Sequence, residues 1–224
     1  MSTTHDPPRR GETARERLLN AAIDVFGQFG FDGASTRKLA DAAEVNLQAI
    51  PYYFGSKEGL YLATAEHLAG LIQAHVAPLR ERLRERLSQA DAPIGREEAQ
   101  ALLAEMLETM AALFVSPRSE RWARFLIREQ MAPTEAFQRV YGGVMEPTLD
   151  VARRLVGILV AADPDSDGVR LRTLALLGGV MVFRVAHAAV LRQLAWDAIG
   201  PEETEHVRCL ARVLVADLRP GGTP

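Results

Sequence analysis

The chain has 224 residues, enough for one medium domain or for a small domain joined to a larger one. Hydrophobic residues make up 48% and charged residues 25%, so a core can form without staples, and the single cysteine, Cys209, rules out an internal disulfide framework. Lys and Arg number 26 against 29 Asp and Glu, a net charge of −3, which excludes a basic nucleic-acid coat but leaves room for a small DNA-reading module.

Met1–Gly11 is polar, with Pro7 and Pro8, and is expected to be a disordered arm. It lacks the apolar stretch of a signal peptide. The longest apolar run, Leu174–Phe183, is too short to cross a bilayer. A cytoplasmic protein with no membrane partner is the expectation.

From Glu12, the residues Leu18, Leu19, Ala22, Ile23, Val25, Phe26 and Phe29 recur at helical spacing, and Gly30 ends that helix. Ser35-Thr36 caps a short helix through Ala43. A second short helix is expected over about Leu47–Phe54, with Asn46 as its cap. Ser56 caps a longer helix running towards Leu87, with Pro78 placed to kink or divide it. Ala90–Pro93 is a break. Further helices are expected over 95–115 and 118–131, then from Pro133-Thr134 to Ala162, interrupted at Pro147. Asp163–Gly168 reads as a loop. A long helix over Val169–Trp196 and a last one from Pro201 to Arg219 follow. No segment alternates with period two, so the fold class is all-α, with about nine helices.

The informative stretch is Ser35–Lys57. Two short helices meet across Ala43-Glu44-Val45. Ala40 and Ala43 are small where helices must cross, and Leu39, Val45 and Ile50 supply apolar contacts. That is a helix-turn-helix layout, whose second helix can enter a major groove. Asn46, Gln48, Ala49 and Tyr52 are the candidates for base edges. Thr36, Arg37, Tyr52, Tyr53 and Lys57 suit phosphates. Lys38 and Lys57 are the chain's only lysines. Spacing alone leaves open a plain helical bundle. Charge does not decide, since seven Lys and Arg face eight Asp and Glu over Met1–Leu60.

The sequence Ala21-Ala22-x-x-x-Phe26-x-x-x-Gly30-Phe31, then Thr36-Arg37-x-Leu39-Ala40-x-Ala42-Ala43, then Tyr52-Tyr53-Phe54-x-Ser56-Lys57-Glu58-x-Leu60, resembles the DNA-binding domain of TetR-family transcriptional regulators. Arg128–Met131 with Pro133-Thr134, Ala136-Phe137, Tyr141 and Met145–Pro147, and then Phe183–Ala186, resemble the CecR-type subgroup of that family. The resemblance implies an N-terminal three-helix head over 12–62 and a helical ligand-binding and dimerisation body over 63–219, followed by a tail at 220–224. It implies a homodimeric repressor that binds a near-palindromic double-stranded operator and responds to a small-molecule inducer. Two positions depart from the family pattern. Glu44 stands where the family has a turn glycine, so a left-handed backbone costing roughly 1 kcal/mol is expected there, and Pro51 stands where the family often has tyrosine or another donor, so a short, distorted or differently docked recognition helix is expected.

In the body, Met106, Met110, Trp122, Phe125, Met131, Phe137, Tyr141 and Met181 suit an apolar ligand together, although each singly reads first as core packing. Arg124, Arg128, Glu129, Arg184 and His187 are polar groups in apolar contexts. Arg128 and Glu129 are expected to form ion pairs that hold the fold. Arg184 is expected to face a carboxylate or a ligand, and His187 to be a satisfied core histidine. The last two long helices are expected to pair two subunits. Cys209, among Val207, Leu210, Val213 and Leu214, reads as a buried structural thiol, with a redox sensor as the alternative. No catalytic triad, phosphate loop or metal-spaced cluster appears, so no enzyme activity, cofactor or metal is expected. Two rival readings remain: a regulator answering to a protein antirepressor, and a helical module that no longer reads DNA.

Overall fold

A computed structural model describes residues 12–89 and 91–220. The expected arm at 1–11 and the tail residues 221–224 lie outside them. The described residues form α-helices joined by short turns, and no strand occurs among them. The chain divides into two compact units. One holds the chain up to Ala69 together with Arg121–Val140, and the other holds Gly70–Glu120 and Tyr141 onward. The first unit therefore contains the expected head and, in addition, a segment that the sequence places in the body.

Within the first unit, α1 (Ala14–Gly33) opens on a capping box. Glu16 donates its N–H to the Thr13 hydroxyl, and the Glu16 carboxylate accepts the Thr13 N–H. Gly30 has φ 71° and breaks the helical geometry, so the regular helix ends where the sequence indicates. α2 (Thr36–Ala42) is capped by Ser35, whose hydroxyl accepts the Lys38 N–H. α3 (Ala49–Phe54) packs with α2 against α1. Leu18, Leu19, Ile23, Phe26, Leu39 and Ile50 are fully buried, so the apolar spacing marked this core correctly.

The turn between α2 and α3 carries the strain expected of Glu44, whose φ is 53°. Val45 donates to the Ala40 carbonyl and Glu44 to the Asp41 carbonyl, a Schellman-type ending with Glu44 in the left-handed position. A side chain there costs on the order of 1 kcal/mol. Glu44→Gly is therefore expected to stabilise the chain by roughly 0.5–1 kcal/mol, read as a higher urea midpoint. Glu44→Ala should leave the midpoint unchanged, because alanine keeps the Cβ.

α6 (Pro117–Met131) lies mostly in the first unit and runs against α1. Gly27 allows this, since a Cβ there would stand 3.2 Å from the Arg124 Cβ. Arg128 donates to the carbonyls of Gly27 and Gln28 at the end of α1, and Arg121 pairs with Asp24 through both oxygens. Glu129 is buried. It accepts the Tyr61 hydroxyl on one oxygen and the Thr134 N–H and hydroxyl on the other. Arg128 and Glu129 thus hold the fold, but through hydrogen bonds to backbone and hydroxyl groups rather than the ion pairs expected. α7 (Glu135–Val140) closes the unit.

The long helix α4 (Lys57–Ser88) is not divided at Pro78. Pro78 is exposed, as is Ala74, so water can take up the carbonyl that proline leaves without a donor. In the second unit α5 (Arg96–Val115), α8 (Glu146–Val160), α9 (Asp167–Val185) and α11 (Pro201–Ala216) share one core. A π-helical turn, Tyr141–Met145, precedes α8 and places Pro147 in its first turn, where no N–H is needed.

The expected single helix over Val169–Trp196 is two. α9 ends at Val185, and α10 (His187–Leu194) leaves it at 84°. Ala186 carries the break, with φ −104° and ψ 32°. No Gly or Pro marks it. The buried Arg184 side chain holds the end of α9, donating to the carbonyls of Phe114 and Ser116 at the C-terminus of α5. Arg184 therefore caps a helix instead of meeting a carboxylate. His187, expected to be satisfied, has a buried Nδ1 with no hydrogen-bond partner.

Candidate nucleic-acid interface

Recognition would fall to α3 and the turn that leads into it. Asn46 accepts the Gln48 N–H on its side-chain oxygen at 2.9 Å, and Ala49 donates to the Asn46 carbonyl. This Asx turn starts the helix at Ala49, two residues later than the sequence indicates. The delay removes the conflict expected from Pro51. It becomes the third residue of α3, within the first turn, where the N–H has no helical acceptor. The helix is short, at six residues, as expected from that proline.

Ile50 anchors α3 in the core at 1% exposure, whereas Asn46, Gln48, Pro51 and Tyr52 are exposed. Tyr52 is 79% exposed, and its ring meets Tyr53 edge-on at 4.8 Å. Ala49 is half-buried. The Asn46 side chain keeps its amide N–H groups, and Gln48 makes no side-chain hydrogen bond among the described residues. Both present amides of the kind that pair with adenine edges. Leu47 is 44% exposed and lies between them, an apolar group suited to a thymine methyl that the sequence reading took only as the start of a helix.

Among the phosphate candidates, Arg37 is exposed and Thr36 is the first residue of α2. Lys57 is the first residue of α4. Its ammonium donates to the Phe31 carbonyl at 2.9 Å and lies 4.2 Å from the Phe31 ring centre. One of its three N–H groups is thereby used. Lys38, which the sequence analysis assigned no contact, is exposed with its ammonium 3.6 Å from the Phe29 ring centre.

The effector candidates divide between the two units. Trp122, Phe125 and Phe137 belong to the first, and Phe125 is 1% exposed and packs on Tyr61 at 5.1 Å. Met106, Met110, Tyr141, Met181 and Arg184 belong to the second. Met106 is buried in its core, Met110 packs against that core, and Met181 is 45% exposed. Met131, also suited to a ligand by type, is 82% exposed. Tyr141 lines an open cleft of about 860 Å³ whose walls are α4, the π-helical turn, α8 and α9. Cys209 is exposed, which corrects the reading of it as a buried thiol. The buried positions of α11 are Val207, Ala211 and Val215, and Cys209 projects from a different side with Leu210 and Val213.

A family model described as bacterial regulatory proteins, tetR family, matches residues 18–64. Another, for the C-terminal domain of the HTH-type transcriptional dual regulator CecR, matches residues 99–219. The HTH-type transcriptional dual regulator CecR of Shigella flexneri is 34% identical over 196 residues, spanning 88% of this chain and 86% of its own. The HTH-type transcriptional regulatory protein RaaS of Mycobacterium tuberculosis is 28% identical over 202 residues, spanning 84% and 82%. The crystal structure of Mycobacterium smegmatis AmtR shares the fold, with a TM-score of 0.62 at 20% identity, over 97% of this chain and 92% of its own. No single helix among the described residues is long and apolar enough to cross a membrane. The helix-turn-helix of the first unit and the CecR-type segment that makes up most of the second are thus each matched in their own right, and the chain belongs to the TetR family of DNA-binding transcription regulators.

Proposed function

We propose that the chain is a cytoplasmic, homodimeric repressor that reads a near-palindromic operator with α3 and releases it when a small molecule binds its body. The observation that carries this reading is the exposed row Asn46, Leu47, Gln48 and Tyr52, held on the buried anchor Ile50. Two copies would place two such rows on successive major grooves, about 34 Å apart. The small molecule acts only through its difference in affinity for the DNA-competent and DNA-free states. Among the effector candidates, Tyr141 lines an open cleft of the second unit, which supports reading the small-molecule site there.

Footprinting on the region upstream of its own gene tests the reading, with Gln48→Ala as the discriminating variant. It is expected to change the preference among operator variants by about 1–3 kcal/mol. An equal loss on every variant would mean that Gln48 reads no base. Lys57→Ala is expected to weaken binding to all sequences and to flatten the salt dependence by about one unit. The N-terminus of α4 supports this phosphate role, since its free N–H groups also favour an anion. An unchanged salt slope would leave Lys57 as a brace on Phe31 alone.

A further inference from the structure

The second unit buries two arginines, and they differ in how they are satisfied. Arg184 donates from Nε and Nη2 to two carbonyls, and none of its nitrogens is buried without a partner. Arg80, on α4, is 6% exposed, and only its Nη2 finds an acceptor, Glu81 at 3.2 Å. Its Nη1 is buried and makes no hydrogen bond. A buried cationic donor without an acceptor is costly, and native folds rarely leave one without a reason.

Arg80 lines the same cleft as Tyr141. The other arginines of its walls are paired: Arg84 with Glu81, Arg153 with Asp150 and Asp165, and Arg170 with Asp165. Four arginines and three carboxylates line the cleft, and Asp165, which pairs with two of those arginines, brings the charges level, so what sets Arg80 apart is its unpartnered Nη1. Glu146 makes no ion pair among the described residues and would repel a second negative charge. Pro147, Leu149 and Leu174 add an apolar wall, and the volume lies in the range of small-ligand sites.

We infer that this cleft takes a small organic monoanion, an oxyanion on an apolar body, with Arg80 as its anchor. The inference rests on the cleft being the regulator's small-molecule site and gives that site its chemistry. Nη1 has no exposed surface, so binding includes a rotation of the guanidinium to meet the oxyanion. The charge-assisted bonds formed replace the missing acceptor. Leu174 also stands on the exposed apolar side of α9, so an occupied cleft bears on the helix expected to pair two subunits.

The test uses the full chain and two fluorescent probes of similar shape, anilinonaphthalene sulfonate and the neutral phenylnaphthylamine. The sulfonate is expected to bind saturably. Arg80→Met should weaken it by about tenfold while changing the neutral probe by less than about twofold. Equal losses for both probes, or no loss for the sulfonate, would overturn the inference. If Arg80→Met lacks the circular dichroism of the folded chain, Leu149→Trp serves instead, and it should exclude the sulfonate by filling the cleft. Unchanged sulfonate binding to that variant would also overturn the inference. Operator affinity is measured in the same titrations. Sulfonate binding that needs Arg80 but leaves operator affinity unaltered would support the anion site and refute small-molecule control of DNA binding.

Discussion

Val182→Asp is expected to leave the chain monomeric in light scattering and to abolish operator binding at concentrations where the parent saturates. On α9, Leu171, Leu174, Met181, Val182 and Val185 are each between 43% and 56% exposed. They recur three and four residues apart, so they form one stripe, and Gly178 falls within it. On α11, Leu210 is 37% and Val213 49% exposed. A row of large apolar side chains open to water marks an interaction surface. Two helices from each of two copies would bury it in a four-helix interface. By two-fold symmetry one substitution places two carboxylates in that interface, and each buried, unpaired charge costs several kcal/mol. The fold of the isolated chain should survive, because Val182 is exposed within it, so circular dichroism should match the parent. A Val182→Asp protein that scatters as a dimer would move the interface elsewhere. Each head bound alone reads half an operator, which is why the loss of DNA binding should follow the loss of the dimer.

The same helices show which parts of the structure the sequence could convey. Apolar spacing marked Leu18, Leu39 and Ile50 as core because each lies on a helix with one buried side. Glu44 was legible as left-handed because the resemblance fixed the turn in which it sits, and its φ of 53° bears this out. The break at Ala186 was not legible, since its cause is distant in sequence: Arg184 is held by carbonyls at residues 114 and 116. Cys209 was misread for a related reason. α11 is apolar on two sides, and composition cannot tell the side that packs on α5 from the side left open. Residue type marked Phe125 and Met106 as suited to a ligand or to a packed core, and one packs in an aromatic cluster and the other in the core of the second unit. Arg80 drew no notice in the sequence because arginines recur through Arg80–Arg86, and only burial separates it from its neighbours.

Glu129→Leu is expected to destabilise the chain by roughly 3 kcal/mol. Glu129 is 3% exposed, and its two oxygens accept the Tyr61 hydroxyl, the Thr134 N–H and the Thr134 hydroxyl. Leucine fills similar space but accepts nothing, so buried donors lose their partner at about 1–3 kcal/mol each. The Tyr61 ring is itself fixed, edge-on to Phe26 at 4.7 Å and tilted on Phe125 at 5.1 Å, so it cannot turn its hydroxyl to water without disrupting that packing. A fall of several degrees in melting temperature should follow. The pH dependence offers a separate check. Burial first, and then the hydrogen bond to Glu129, push the Tyr61 hydroxyl above the usual tyrosine range. The folded chain therefore keeps a proton that the unfolded chain gives up. The stabilisation is complete below the unfolded value of about 10 and is lost as pH rises beyond it. Tyr61→Phe should lower the urea midpoint near neutral pH by removing the bond, and it should also make the midpoint less sensitive to alkali than that of the parent. If the parent and Tyr61→Phe fall in parallel between about pH 9 and pH 11, the hydroxyl is not held by Glu129 in the folded state.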